Sequence, residues 1–280
     1  MAIDVLTVSD IEQIQLAAQN ERPVRSFIQG LRKASLPAII EYGCLRWSHP
    51  SLKLPDLPDA IGNSPLGLAL KEVRSELGLR TNGPDGATWD RIDPRDYGFF
   101  VLNDEAHLES TRWKLFETVY NRSSAKAGFS EKVASQLSVA LHEMAANAST
   151  HALSSIPALV GFWVCDGLSL FTVADVGIGV YESLRKHPAY AHIDTHAEAI
   201  RFALRDGVSS VDPGQRGFGF REVFKAILTC YGRLRFRSGT GCIDMSGADL
   251  DADRGTKTFP PHLPGFQVSV CCRCRALKTA

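Results

Sequence analysis

Glu143 and Asn147 stand one helical turn apart in the run Leu141-His142-Glu143-Met144-Ala145-Ala146-Asn147-Ala148-Ser149-Thr150-His151. At helical spacing Glu143, Asn147 and Thr150 with His151 share one face. A carboxylate there can draw a proton from water or a hydroxyl, and a carboxamide oxygen one turn on can ligate Mg²⁺. Taken alone, the pair is the ordinary polar face of a helix. A second group, Asp175-Val-Gly177-Ile-Gly179, follows the apolar run Leu170–Ala174. A carboxylate at the end of a strand can accept from an exocyclic amine such as that of adenine, and the glycines let backbone approach a ligand closely. A plain strand-to-helix turn would use the same residues.

A third group, Gly214-Gln-Arg216-Gly217-Phe-Gly219-Phe220, opens a helix expected over Phe220–Cys230. Unpaired N–H groups at such a helix start suit phosphate, whereas the bland reading is a flexible loop. The segment is not a dinucleotide fingerprint, because it follows no early strand and no matching acidic residue lies about twenty positions on. Nor is it a P-loop, since Gly-Lys-Ser/Thr is absent.

The elements that must position these groups come mostly from the second two-thirds of the chain. Ser130–Ala152 reads as the longest helix, capped by Ser130, with an apolar stripe of Val133, Leu137, Leu141, Met144 and Ala148. Glu109–Ser123 and Ala197–Arg205 read as further helices. Gly98–Leu102 reads as a strand, and Leu159–Cys165 and Leu168–Ala174 as a hairpin about Asp166-Gly167. Leu234–Arg237 and Cys242–Met245 suggest a second hairpin, and Phe266–Cys272 a final strand. Antiparallel strands on one side and helices on the other predict an α/β two-layer sandwich with a mixed, mostly antiparallel sheet. A smaller, mainly helical N-terminal region precedes it, with Ile11–Ala18 and Val24–Leu36 as short helices, the second stopped by Pro37. Leu66–Leu77 also looks helical. The turn-rich tract Thr81–Arg95, with Asn82-Gly83-Pro84-Asp85-Gly86, divides residues 1–95 from 96–280.

Together, in this order and on these elements, the three groups resemble the GHKL ATP-binding superfamily: gyrase B-type ATPases, histidine-kinase catalytic domains and anti-sigma serine kinases. The run around Glu143 and Asn147 is similar to its N box, Asp175–Gly179 to its G1 box, and Gly214–Gly219 to its G2 box. The resemblance covers about residues 97–280, and the segment around Asn147 is nearest the anti-sigma kinase pattern. It implies a Bergerat fold with ATP held between the sheet and a mobile lid at about Asp206–Arg216. It further implies Glu143 as general base, Asn147 as Mg²⁺ ligand and His151 beside the nucleotide. Asp175 would hold the adenine amino group, with Gly177 and Gly179 shaping its pocket, and Arg216, Gly217 and Gly219 would border the phosphates. Gly265-Phe266 stands where the family carries Gly-Thr. Gly255-Thr256 is the other match, but Pro260, Pro261 and Pro264 argue against a strand there.

The remaining features narrow the function. The 280 residues carry 31 Lys+Arg against 31 Asp+Glu, a neutral balance that argues against a nucleic-acid coat; only Arg233–Arg237 is locally basic. No apolar stretch reaches the roughly 18 residues of a membrane span, and Met1–Glu12 lacks the basic start of a secretory signal. Seven Cys without an export signal read as reduced cytoplasmic thiols. Cys271, Cys272 and Cys274 with His262 nearby supply no full tetrahedral metal set. His49 is followed by Pro50 and flanked by no evident amphipathic helix, which argues against a phosphoacceptor histidine there. No transducer domain is expected after the last strand. The expectation is a small, cytoplasmic, Mg²⁺-dependent ATP-binding regulator, an ATPase or protein kinase acting on a partner protein. A homodimer stays open as an arrangement, and neither nucleic acid nor membrane is expected as partner. A non-catalytic nucleotide-gated switch is the alternative, and a ligand-free interaction module the third reading.

Overall fold

A computed structural model describes residues 5–62, 90–93, 97–151, 154, 156–165, 167–204, 230, 232–246 and 256–274. The Leu66–Leu77 helix, the Asn82–Gly86 turn, the lid, the Gly214–Gly219 segment and the Phe220–Cys230 helix, apart from Cys230 itself, lie outside the described residues. The N-terminal region runs β1 (Val5–Leu6), α1 (Val8–Gln19), α2 (Arg25–Ile28), β2 (Lys33–Ala34), α3 (Leu36–Ser48) and α4 (Asp59–Gly62). There follow β3 (Asp90–Asp93), β4 (Tyr97–Leu102), α5 (Thr111–Lys126), α6 (Glu131–His151), β5 (Ala158–Cys165) and β6 (Leu168–Ala174). The chain then forms α7 (Gly179–Arg185), α8 (His196–Ala203), β7 (Arg233–Ser246) and β8 (Thr256–Arg273). The protein is thus α/β, a helical N-terminal region followed by an antiparallel sheet packed against helices.

Among the described residues β1 and β2 form a separate parallel pair, and the main sheet has six strands in the order β3-β4-β5-β6-β8-β7, with every neighbouring pair antiparallel. That replaces the mixed sheet expected from sequence. The β5–β6 pair turns about Gly167 at φ 68°, and no crossover needed for a parallel pair intervenes within it.

Helices α5 and α6 cover one face of the sheet. The α6 stripe of Val133, Leu137, Leu141, Met144 and Ala148 is buried against Phe171, Val173, Phe266 and Val268. Trp113 and Phe116 of α5 stack at 5.4 Å between ring centres, and Phe116 meets Phe162 at 4.9 Å. Each such side chain contributes about 1.5–3 kcal/mol by leaving water.

The opposite face is also covered, so the expected two-layer sandwich carries a further layer. Ile11 and Ile14 of α1 and Leu36, Ile40 and Leu45 of α3 pack on Phe99, Val101, Leu159 and Ala174. The physical reason is visible in β4: Phe99 to Leu102 are buried in unbroken succession, so both faces of that strand are apolar and both need cover.

Three local expectations are corrected. Pro37 starts a helix instead of stopping one: it sits in the first turn of α3, where the missing N–H costs nothing, and Ser35 caps it by accepting from the Ala38 N–H. A helix therefore runs up to His49, although His49 itself is non-helical, at φ −130° and ψ 64°. The two short strands Leu234–Arg237 and Cys242–Met245 are one long strand, β7, bent at Gly239 (φ 59°) where the register slips. The slip lets His196 lie against the strand, where a Cβ on Gly239 would fall 2.1 Å from its Nδ1. Finally, Pro260, Pro261 and Pro264 lie inside β8. Residues 256–266 of β8 pair only with β7, because β6 starts its pairing at Gln267. A prolyl nitrogen is tolerated on that one-sided stretch.

Candidate functional site

The alternation of β6 buries Phe171 and Val173 beneath α6 and ends at Asp175, which is 1% exposed. One carboxylate oxygen, Oδ1, accepts from the Gly177 N–H at 2.7 Å, which is the turn the Asp-x-Gly spacing favours. The other, Oδ2, accepts from the Phe266 N–H at 3.4 Å, while the Asp175 N–H donates to the Phe266 carbonyl at 3.0 Å. Burial pushes the Asp175 carboxyl up to about 7 against the pull of those two N–H groups, and no Lys, Arg or His offsets it among the described residues.

Two glycines make this packing possible. Gly265 lies at φ 72° directly beneath Asp175, and a Cβ there would fall 2.1 Å from the Asp175 carbonyl oxygen. Gly179, at φ 76°, brings the start of α7 against Gly265 and Ser238. Ser238 ties the pieces together: its hydroxyl donates to the Gly265 carbonyl at 2.7 Å and accepts from the Val180 N–H at 3.0 Å. Asp175, Gly177 and Gly179 therefore form one structural unit with Ser238 and Gly265-Phe266.

On α6, Glu143 and Asn147 are half-buried and share a face beside the buried stripe. Neither side chain hydrogen-bonds to another described residue, nor to Asp175, so their oxygens are available to a ligand. His142 faces α5 instead. Its Nδ1 lies 2.8 Å from Glu117 Oε1, to which it donates when it carries the proton, and 3.2 Å from the Trp113 Nε1–H, from which it accepts when it does not. The bond to Glu117, and the negative charge around it, raise its pKa. The backbone of His151 closes α6. Arg216, Gly217 and Gly219 lie outside the described residues.

Sequence reasoning missed Ser238, His196 and the buried charges on β7. Ser238 meets Val180 across 58 positions and Gly265 across 27, so no local pattern announces it. His196 and His262 face each other at 5.3 Å between ring centres, and Tyr181 lies 4.7 Å from His196. Desolvation, then the charge of His262, lowers the pKa of His196 and of His49. Desolvation and then Arg237 lower that of His262. Arg237, 1% exposed, donates to Gln15 Oε1 at 2.8 Å and to the Pro261 carbonyl at 3.2 Å. Arg235 pairs with Glu41 at 3.3 Å and with Glu12. The one sequence signal for them is the locally basic run Arg233–Arg237.

Fold and site together define an α/β protein whose antiparallel sheet presents a buried carboxylate at the end of a strand, with no cation beside it among the described residues, and an acid–amide face on the helix α6 that covers one side of the sheet. No family model matches the sequence, and no curated protein sequence matches it. Among the described residues, no helix is long and apolar enough to cross a membrane.

Proposed function

We propose that the chain is a Mg²⁺-dependent ATP-binding protein of the histidine-kinase-like ATPase class, with a Bergerat-type sandwich, acting as a regulatory ATPase or protein kinase on a partner protein. One observation carries this reading: Asp175 is a fully buried carboxylate with two backbone N–H partners and, among the described residues, no cation beside it. Such a group is costly to the fold, and that cost is typical of binding sites. The turn to Gly177 accounts for Oδ1 alone. The burial and the second N–H at Oδ2 leave a dry, oriented acceptor suited to an exocyclic amine.

The residues on α6 fit the rest of the ligand. Asn147 offers a hard carboxamide oxygen of the kind Mg²⁺ accepts alongside phosphate, and Glu143 offers a carboxylate one turn away. Bound Mg²⁺ would neutralise charge on the phosphates. Glu143 would take the proton of an attacking water or protein hydroxyl, and Asn147 would hold the metal in register with it. Asp175 would orient the base, with Gly177 holding the turn beside it, while Gly179 packs against Ser238 and Gly265.

A specific residue favours the second reading, a nucleotide-gated switch without turnover. Phe266 is buried, with its ring 5.9 Å from that of Phe236, so the position at which the family carries a hydroxyl is apolar here.

Calorimetric titration with ATP, with and without Mg²⁺, tests the proposal. Binding that requires Mg²⁺ and is lost in Asn147→Ala and Asp175→Ala is the expected result. Absence of binding at millimolar ATP in folded protein would refute it. Turnover lost in Glu143→Ala with binding retained would select the enzyme over the switch.

A further inference from the structure

We infer that the N-terminal layer controls the Asp175 site through two consecutive residues of β7, Arg237 and Ser238. The inference rests, for its consequence, on the nucleotide reading above.

The link begins where the β7–β8 ladder fails. Ser238 pairs with Phe266, but Gly239 next to it pairs with Leu263, so Pro264 and Gly265 bulge out of β8. A bulge removes ladder hydrogen bonds and leaves the local register to other contacts. Here those contacts come from side chains on both sides. From the N-terminal layer, Gln15 of α1 spans the two strands: its Oε1 accepts from Arg237 of β7, and its Nε2 donates to the His262 carbonyl of β8 at 2.8 Å. Arg237 itself reaches the Pro261 carbonyl, and Glu41 of α3 lies 3.9 Å from it. From the site, the Ser238 hydroxyl holds the bulged Gly265 carbonyl and the first turn of α7.

The bulge is what lifts Gly265 under Asp175. Gly265 at φ 72° touches the Asp175 backbone and carboxylate, and the next residue, Phe266, supplies one of the two N–H groups on that carboxylate. The path from Gln15 to Asp175 is therefore unbroken: Gln15, Arg237, Ser238, Gly265, Phe266, Asp175. Gln15 and Arg237 are both buried, at 0% and 1% exposure, so water cannot replace their bond cheaply. A partner or signal that shifts α1 would loosen the bulge, and with it the backbone around Asp175. Arg237 and Ser238 are positioning residues, since neither touches the proposed ligand.

The test measures amide hydrogen exchange in the full-length chain and ATP affinity side by side. Gln15→Ala is expected to speed exchange at Gly177, Val180 and Phe266 by about tenfold, with amides in the middle of α6 unchanged. ATP binding is expected to weaken about fivefold. Gln15→Glu keeps an acceptor for Arg237 but loses the donor to the His262 carbonyl, so it should restore only part of both. Ser238→Ala should speed the same three amides, and adding Gln15→Ala to it should change them little further, as for two sites on one path. Arg46→Ala, which breaks the exposed ion pair with Asp56 in the same layer, should leave them untouched. Faster exchange confined to α1, or full additivity of the two variants, would overturn the inference. Should Gln15→Ala not fold, Ser238→Ala alone still decides: unchanged Gly177 and Phe266 amides would refute the link. If the exchange pattern is found and ATP does not bind, the link stands and the nucleotide reading falls. If ATP binds the wild type and Gln15→Ala alike, with site amides unmoved, the nucleotide reading stands and the link falls.

Discussion

Asp175 and Phe266 hold each other by both backbone and side chain: the Asp175 N–H donates to the Phe266 carbonyl, and the Phe266 N–H donates to the Asp175 carboxylate. The pair joins the end of β6 to the bulge in β8, so the shape of the candidate base site is a property of two strands at once.

The buried Asp175 carboxyl makes stability depend on pH. Burial raises the Asp175 carboxyl from 3.8 to about 7. Between those values the folded state binds the extra proton, so this group's contribution to stability is complete below 3.8 and is lost as pH rises to about 7. The slope is at most about 1.4 kcal/mol per pH unit. Chemical denaturation across pH should show this slope in the difference between wild type and Asp175→Asn. ATP affinity should change the other way, rising with pH through about 7 as the acceptor carboxylate forms. An affinity independent of pH would remove the carboxylate from the base site.

Gly265→Ala should be among the most damaging single substitutions. The added Cβ would sit 2.1 Å from the Asp175 carbonyl oxygen at a backbone conformation that side chains avoid. A loss of about 2 kcal/mol or more in a urea titration is expected, together with loss of ATP binding.

Acid should loosen the join between α3, β8 and α8. His49, His196 and His262 all have pKa values lowered below 6.5, chiefly by desolvation, with Glu182 opposing the shift at His196. The unfolded chain takes up those protons first, so their contribution is present above 6.5 and lost as pH falls below it. His196→Gln with His262→Gln should flatten the acid limb of the stability curve. An unchanged limb would rule this cluster out as its source.

His142 should behave oppositely. Its bond to Glu117 raises its pKa, so its contribution is present below 6.5 and is lost as pH rises through the higher folded value. In a proton NMR titration, Glu117→Gln should move the His142 midpoint downward. No movement would mean that Trp113, not Glu117, sets the imidazole.

Local pattern revealed those parts of the fold, and of the candidate site, that neighbours along the chain create. The α6 stripe at spacings of three and four, the β5–β6 alternation about Gly167 and the Asp-x-Gly turn at Asp175 all depend on neighbours within a few residues, and each is legible for that reason. Pro37 was legible only in part, because proline both ends and begins helices and the Ser35 cap decides which.

What sequence alone determined, then, is what short-range chemistry can encode: the long helix α6, the β5–β6 pair, and that an acid–amide face and a strand-end carboxylate exist. Tertiary structure alone decided that β7 is a single strand, that three prolines fit on a one-sided stretch of β8, and that α1 and α3 cover the second face of the sheet. It alone placed Gln15 on Arg237, 222 positions away, and Phe266 on Asp175, 91 positions away. Those contacts arise where a bulge leaves backbone groups to be satisfied by whatever packing brings near, and no spacing along the chain records that.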